Sequence, residues 1–361
     1  MSSGSNLNFL KRELISMGNH DSHMKDSFHI QWHITNLCNL RCQHCYQDNF
    51  SREKDLGWPE LKRVADHLLD AIQEWDKMAC IHLTGGEPLL KPELFPLLDY
   101  LDQLPLIDEL GIITNGLLID QEVVKKLSNF PKLRKIKISL DGADAETNDS
   151  IRGKGNFLKT IQNLSWVRDK NRFETILMFT VMKGNFRDLP AFLKLSQELG
   201  VDGFIIERFI PWGRGRERRD DVLSKEDWKE LIKTLLELFS IEEEDAFLSY
   251  QAFQINFNHE EPELLGAPCV IGKDGLCVMP DGDVFPCRRF PISIDNLLND
   301  SLKTIWEKSE LLGQIKNKEN LKGQCGICGI EDCRGCRSLA LSLTGDYLEE
   351  DPHCWYQTTS L

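Results

Sequence analysis

Residues 28–46 read FHIQWHITNLCNLRCQHCY, an alternating run that flows directly into three cysteines at C-x3-C-x2-C spacing. The first eight residues, FHIQWHIT, alternate apolar and polar side chains as a strand with two unlike faces does. Cys38, Cys42 and Cys45 therefore sit in the loop that leaves a strand. Iron–sulfur clusters and structural zinc sites usually take four protein ligands, and this loop offers three. His44 is the nearby candidate for a fourth, but it is wedged between Cys42 and Cys45, where its side chain would tend to point away.

Working outward, the strand is the first of six. CIHLTGG (80–86), LGIITNG (110–116), KIKISLDG (135–142), TILMFTVM (175–182) and GFIIERFIP (203–211) read the same way. Between them lie helical stretches over 58–75, 92–104, 121–130, 157–170 and 189–200. Such βα alternation predicts a parallel sheet, either doubly wound or closed into a barrel. Polar residues and glycines gather at the C-terminal ends of the strands, in TGGEP, TNG, SLDG and PWGRGR. In both parallel architectures that edge binds ligands. After residue 211 the alternation stops. Residues 224–240 read as one more helix, EEED at 242–245 as a solvated acidic end, and 269–354 as a turn-rich, cysteine-dense segment.

A chain of 361 residues suits one large domain and a smaller one. No apolar run is long enough to span a membrane, and MSSGSNLNFLKRELISMGNHDSH has no signal-peptide core, so a cytoplasmic protein is expected. The formal charge of -14 argues against a general nucleic-acid binder. Twelve cysteines without an export signal are expected to be reduced thiols serving metal or redox chemistry. Three lie at 38–45 and eight between 269 and 354; Cys80, inside an apolar strand, reads as core.

CNLRCQHCY (38–46), GGEP (85–88), TNG (114–116) and SLDG (139–142), in that order, resemble the radical S-adenosylmethionine (SAM) superfamily over roughly residues 28–215. The resemblance implies an α/β fold, a partial (β/α)6 TIM-like barrel, and a [4Fe–4S] cluster on Cys38, Cys42 and Cys45 whose fourth ligand is SAM. By the same resemblance Gly85, Gly86 and Glu87 would meet the SAM ammonium, Ser139 and Asp141 its ribose and methionine portions, and Arg152 its carboxylate. Tyr46 would flank the adenine, with Ile205 or its neighbours forming part of the adenine wall. The implied activity is reductive cleavage of SAM to a 5′-deoxyadenosyl radical that abstracts hydrogen from a substrate. A flavodoxin- or ferredoxin-type protein would supply the electron.

Two C-x2-C pairs in CGICGIEDCRGC (325–336) would by spacing alone suit one zinc ribbon or one cluster, and the eight downstream thiols fit two four-thiolate sites. GDVFPC (282–287) and the 17-residue spacer before Cys354 resemble the SPASM extension behind many radical SAM cores. That resemblance implies interleaved ligands: Cys269, Cys277, Cys287 and Cys336 for an inner auxiliary cluster, Cys325, Cys328, Cys333 and Cys354 for an outer one. Three [4Fe–4S] clusters would hold about twelve irons. The 325–328–333–336 spacing is tighter than the usual pattern, and two zinc ions could occupy the same thiolates. The expected domains are an N-terminal arm (1–27), the partial barrel (28–215), a helical bridge (216–268) and a small cysteine-rich iron–sulfur domain (269–361).

SPASM enzymes mostly modify peptides and proteins, which makes a peptide or protein the expected substrate. Arg288 follows Cys287 where sulfatase-maturing members carry an aspartate, which argues against formylglycine formation. The 27 residues ahead of the first strand are too few for a winged-helix leader-binding module, so a leader would be read by the barrel mouth, the bridge or a separate protein. The alternative is side-chain decarboxylation or deacetylation of a tetrapyrrole on a route to haem or haem d1. The tail CRGCRSLALSLTGDYLEEDPHC (333–354) is similar to those enzymes, and IPWGRGRERR (210–219) places Arg214, Arg216, Arg218 and Arg219 near the mouth, suited to several carboxylates or simply solvated. WHITNLCNLRCQHCY (32–46) looks more like the peptide maturases. A non-enzymatic carrier of three clusters would have no use for GGEP.

Overall fold

The computed structural model describes residues 26–169, 172–242, 249–330 and 333–356. Most of the expected N-terminal arm and residues 243–245 of the acidic run lie outside the described residues. Six strands, β1 (Ser27–His33), β2 (Met78–Thr84), β3 (Ile107–Thr114), β4 (Leu133–Ser139), β5 (Glu174–Val181) and β6 (Gly203–Arg208), pair in parallel in chain order. A doubly wound sheet reverses its strand order part-way; this one does not.

The connecting helices are α1 (Trp58–Glu74), α2 (Leu94–Asp102), α3 (Gln121–Leu127), α4 (Ala145–Arg152), α5 (Asn156–Arg168) and α6 (Leu189–Glu198). Their starts are chemically marked: Asp120 accepts from Val123 N at the head of α3, and Asp144 from Thr147 N at the head of α4. Strand periodicity sorts the two faces of the sheet. Ile30, Trp32, Ile81, Leu83, Ile112, Ile136, Ile138, Phe179, Phe204 and Ile206 are buried in one core with the apolar sides of the helices. The alternate positions carry charge: Glu109 lies 3.5 Å from His82 and 3.2 Å from Lys135, which lies 3.4 Å from Glu174.

The stretch expected as a helical bridge contains α7 (Lys225–Leu238) and then two strands, β7 (Tyr250–Asn256) and β8 (Glu263–Pro268), added antiparallel to β6. The alternation of QAFQIN (251–256), with Phe253 and Ile255 buried, explains why that segment pairs with the sheet. At the opposite edge β9 (Gly275–Val278) runs parallel to β1 and pairs with β10 (Asp283–Phe285), which pairs with β11 (Asp295–Asn296). The cysteine-rich region thus joins the sheet beside the strand that leads to Cys38. It continues through α8 (Leu302–Lys308), α9 (Glu310–Lys316), α10 (Gly323–Ile327) and α11 (Arg337–Thr344). Among the described residues no helix is long and apolar enough to cross a membrane.

Candidate active site

The loop after β1 is laid backbone to backbone against the loop after β2. Gly86 N donates to Thr35 O and Glu87 N to Leu37 O, both at 2.8 Å. A Cβ on Gly85 would lie 2.3 Å from Thr35 O, and one on Gly86 2.4 Å from Leu37 O, so only glycine admits this approach. On the other side of the cysteine loop, Gly215 N donates to Cys45 O at 2.8 Å, and a Cβ on Gly213 would lie 2.3 Å from Tyr46 O. Arg41 closes the loop by donating to the carbonyls of Cys38 and Leu40, each at 2.8 Å.

These constraints bring Cys38, Cys42 and Cys45 to one open cleft, which Tyr46, Gly85, Gly86, Ser139, Arg152 and Arg288 also line. Burial pushes the Cys38 thiol up to about 11 and Cys45 up to about 12. Thiols so placed become thiolates by exchanging their protons for metal. Among the described residues no three His, Cys, Asp or Glu side chains converge as they would on a single ion; a cuboidal cluster instead spreads its ligands, one to each iron. The three thiols, the glycine cradle and the cationic wall fit a cluster with one open iron and a SAM-sized ligand beside it.

Several expected contacts lie elsewhere. Glu87 is fully buried and does not line the cleft. Its carboxylate accepts from the Thr114 hydroxyl (2.8 and 3.0 Å), Asn115 N (2.8 Å) and Leu89 N (3.1 Å), which ties the ends of β2 and β3 together. Burial pushes the Glu87 carboxyl up to about 7. Asp141 is likewise fully buried. It lies 2.6 Å from Arg152 Nε and 2.9 Å from His44 Nε2, and accepts from Thr180 N at 2.8 Å. Burial alone would raise the Asp141 carboxyl, but Arg152 and then His44 hold it down at about 2. Asp141 therefore aims Arg152 rather than touching the cleft. His44, expected to point away, also lines the cleft.

Ile205 does not line the cleft; Glu207, Arg208, Phe209 and Ile210 do. Glu207 shares the inward face with Ile205 but lies two residues nearer the mouth. Glu207 binds Arg288 directly and lies 3.9 Å from Arg289. Burial would raise its carboxyl, and Arg288, then Arg289, bring it below the ordinary range. Arg214 and Arg216 are exposed and lie outside the cleft lining. Arg216 covers the Trp212 ring at 4.0 Å, Arg218 binds Asp221, and Arg219 donates to Ser342 O (2.9 Å) and Leu343 O at the end of α11. The glycines of GRGR serve the cysteine loop while most of these arginines bind their own chain. Sequence reasoning missed Asn115, whose amide donates to Asn39 Oδ1 at 2.7 Å, and Glu207, which strand alternation could have flagged.

The eight downstream thiols fall into two neighbourhoods. Cys325, Cys328, Cys333 and Cys354 line one small cavity together with Arg208, Asp351 and His353. Lys318 donates to Cys328 Sγ at 3.2 Å and Arg337 to Cys325 Sγ at 3.4 Å. Cys336 and Cys287 lie near enough to Cys269 to help raise its thiol, and Cys287 does the same to Cys277. Burial pushes Cys269 up to about 12 and raises Cys277 well above its ordinary value.

The sequence profile of the radical SAM superfamily matches residues 32–195, and that of an iron-sulfur cluster-binding domain, SPASM, matches residues 269–337. The chain is 32% identical over 349 residues to an AdoMet-dependent heme synthase of Methanosarcina barkeri, covering 91% of this chain and 96% of that protein. This protein belongs to the radical SAM superfamily. It is an enzyme of that family with the SPASM domain at its C-terminus, and the family implies bound iron–sulfur clusters and SAM. It is also 30% identical to the mycofactocin maturase MftC of Mycolicibacterium smegmatis, covering 90% of this chain and 82% of that one. Its fold matches that of Streptococcus suis SuiB bound to precursor peptide SuiA, with a TM-score of 0.69 at 16% identity over 98% of this chain and 82% of that one.

Proposed function

We propose that this enzyme modifies a side chain of a peptide or protein. Cys38, Cys42 and Cys45 would hold a cluster that, with SAM bound, would supply the radical chemistry for hydrogen abstraction. The chain's own residues prepare the site. Gly85 and Gly86 offer backbone at close range, Asp141 aims the Arg152 guanidinium, and Ser139, Tyr46 and Phe209 wall the cleft. Two further clusters would sit on Cys269, Cys277, Cys287 and Cys336 and on Cys325, Cys328, Cys333 and Cys354, with a flavodoxin- or ferredoxin-type protein as reductant.

The observation that carries the peptide reading is the engagement of the arginines. Arg288 is bound by Glu207 and Arg289 lies 3.9 Å from the same carboxylate, Arg218 is bound by Asp221, and Arg219 is held by helix carbonyls. Arg288 and Arg289 thus share one carboxylate and leave a single positive charge in excess, few for a ring bearing several carboxylates. The heme synthase relative, matched over 96% of its length, favours a second reading in which a tetrapyrrole displaces Glu207 from Arg288. The test is 5′-deoxyadenosine formation by anaerobically reconstituted enzyme with peptide pools from the source cell or with carboxylated tetrapyrroles, each followed by substrate mass. Stimulation by a peptide with a mass change on it supports the first reading. Stimulation only by a tetrapyrrole, with loss of carbon dioxide or acetate, replaces it with the second.

A further inference from the structure

Between the two auxiliary thiol sets lies a buried ion pair that the proposed function does not use. Asp351 and Arg208 are each 3% exposed, and Arg208 Nη1 lies 3.0 and 2.7 Å from the two carboxylate oxygens. Asp351 reaches both sets. Its Oδ2 accepts from the backbone N of Cys336 at 2.8 Å, and its own N–H donates to Cys325 Sγ at 3.3 Å. An asparagine could accept the same hydrogen bond, so satisfying Cys336 N–H does not by itself call for a charge, and burying one is costly unless it is paired.

Arg208, at the end of β6, connects this pair to the reaction cleft. It lines both the cleft holding Cys38, Cys42 and Cys45 and the cavity holding the outer four thiols. Its carbonyl accepts from Arg289 Nη1 at 2.7 Å, and Arg289 also reaches the Cys287 thiol. Trp228 stacks on the Arg208 guanidinium at 4.3 Å and on His353 at 5.1 Å, which fixes the pair from the barrel side. Charges and hydrogen bonds next to cluster sulfurs set reduction potentials, and a buried charge acts over longer range than an exposed one. Lys318 and Arg337 put two cationic donors on the outer set, whereas the donors to Cys38 among the described residues, Leu40 N at 3.4 Å and the Asn115 amide at 3.9 Å, are neutral.

We propose that Asp351 is a positioning residue shared by both auxiliary clusters: its carboxylate, held by Arg208, sets their reduction potentials together and ties them to each other and to the reaction cleft. This rests on the reading that both thiol sets hold iron–sulfur clusters.

The test is an anaerobic redox titration, followed by electron paramagnetic resonance, of full-length reconstituted wild type, Asp351→Asn and the double variant Arg208→Met/Asp351→Asn. Asp351→Asn leaves Arg208 uncompensated and should raise the midpoint potentials of both auxiliary signals while the SAM-cleft cluster stays in place. The double variant removes the stranded cation and should bring both back toward wild type, a reversal that a merely structural cap would not produce. A shift of one auxiliary signal alone, or of neither, overturns the proposal. Should a variant load less iron, loss of about eight irons, both sets together, supports it, and loss of about four, one set alone, overturns it. A wild type that binds no iron or leaves SAM intact would defeat the underlying functional reading; a wild type that titrates normally beside an unshifted Asp351→Asn defeats this inference alone.

Discussion

Replacing Glu87 with alanine tests whether the acidic residue of GGEP is a clasp or a ligand contact. The substitution strips the acceptor from two fully buried donors, the Thr114 hydroxyl and Asn115 N, and from half-buried Leu89 N. A buried donor left without a partner costs about 1–3 kcal/mol, and allowing the hydroxyl to rotate, the loss should be ~2–4 kcal/mol near pH 5. The pH dependence supplies a second, sharper signature. Burial raises the Glu87 carboxyl from its ordinary 4.5 to about 7, so between those values the folded protein holds the proton that the unfolded chain has lost. Its contribution to stability is therefore full below 4.5, falls as pH rises, and levels off above 7. At about 1.4 kcal/mol per pH unit that gap bounds the change at ~3 kcal/mol. The alanine variant lacks this slope, so the deficit relative to wild type should shrink between pH 5 and pH 8. Urea denaturation followed by circular dichroism at several pH values measures both. A deficit under ~1 kcal/mol that ignores pH would mean that the carboxylate is free to face a ligand, and the clasp would be refuted.

Gly86→Ala should weaken SAM binding by more than tenfold, measured by equilibrium dialysis, because the new Cβ meets Leu37 O at 2.4 Å and Asn36 O at 2.7 Å, backbone atoms that cannot swing aside. Asp141→Asn should weaken SAM binding and cost about 3 kcal/mol in thermal unfolding, since it leaves Arg152 buried without a counter-charge; unchanged affinity would show that Arg152 does not need aiming. Arg216→Ala should change substrate turnover less than twofold, because Arg216 lies on Trp212 outside the cleft, and a tenfold loss would restore it to the substrate site. Glu207→Gln should lower substrate-dependent turnover while leaving substrate-free SAM cleavage intact, measured as 5′-deoxyadenosine; equal loss of both would place Glu207 at the SAM site instead.

The six parallel strands and their helices were legible because each apolar stripe has a period that only one element can satisfy: IKI (136–138) alternates, and VADHLLDAI (64–72) repeats at helical spacing. Strands β7 and β8 were not, because short half-polar runs such as ELLG (263–266) carry little periodic signal and pair only once β6 offers an edge. At the site, cysteine spacing and glycine pairs located the cleft, since both are local. What sequence could not supply was direction. Glu87 and Asp141 are carboxylates at the ligand edge, yet both turn inward to satisfy neighbours that come from other strands and loops: Thr114 and Asn115 for one, Arg152, His44 and Thr180 for the other. The arginines of GRGRERR misled because their engagement depends on how the loop folds: Arg216 and Arg218 turn back onto the local partners Trp212 and Asp221, and Arg219 reaches the distant end of α11.

The most direct test of the account is 5′-deoxyadenosine formation by the reconstituted, reduced protein, compared with a variant carrying Cys38→Ala, Cys42→Ala and Cys45→Ala. The wild type should cleave SAM, and the triple variant should hold about four fewer irons and form no 5′-deoxyadenosine. A triple variant that still cleaves SAM would contradict the assignment of the three thiols.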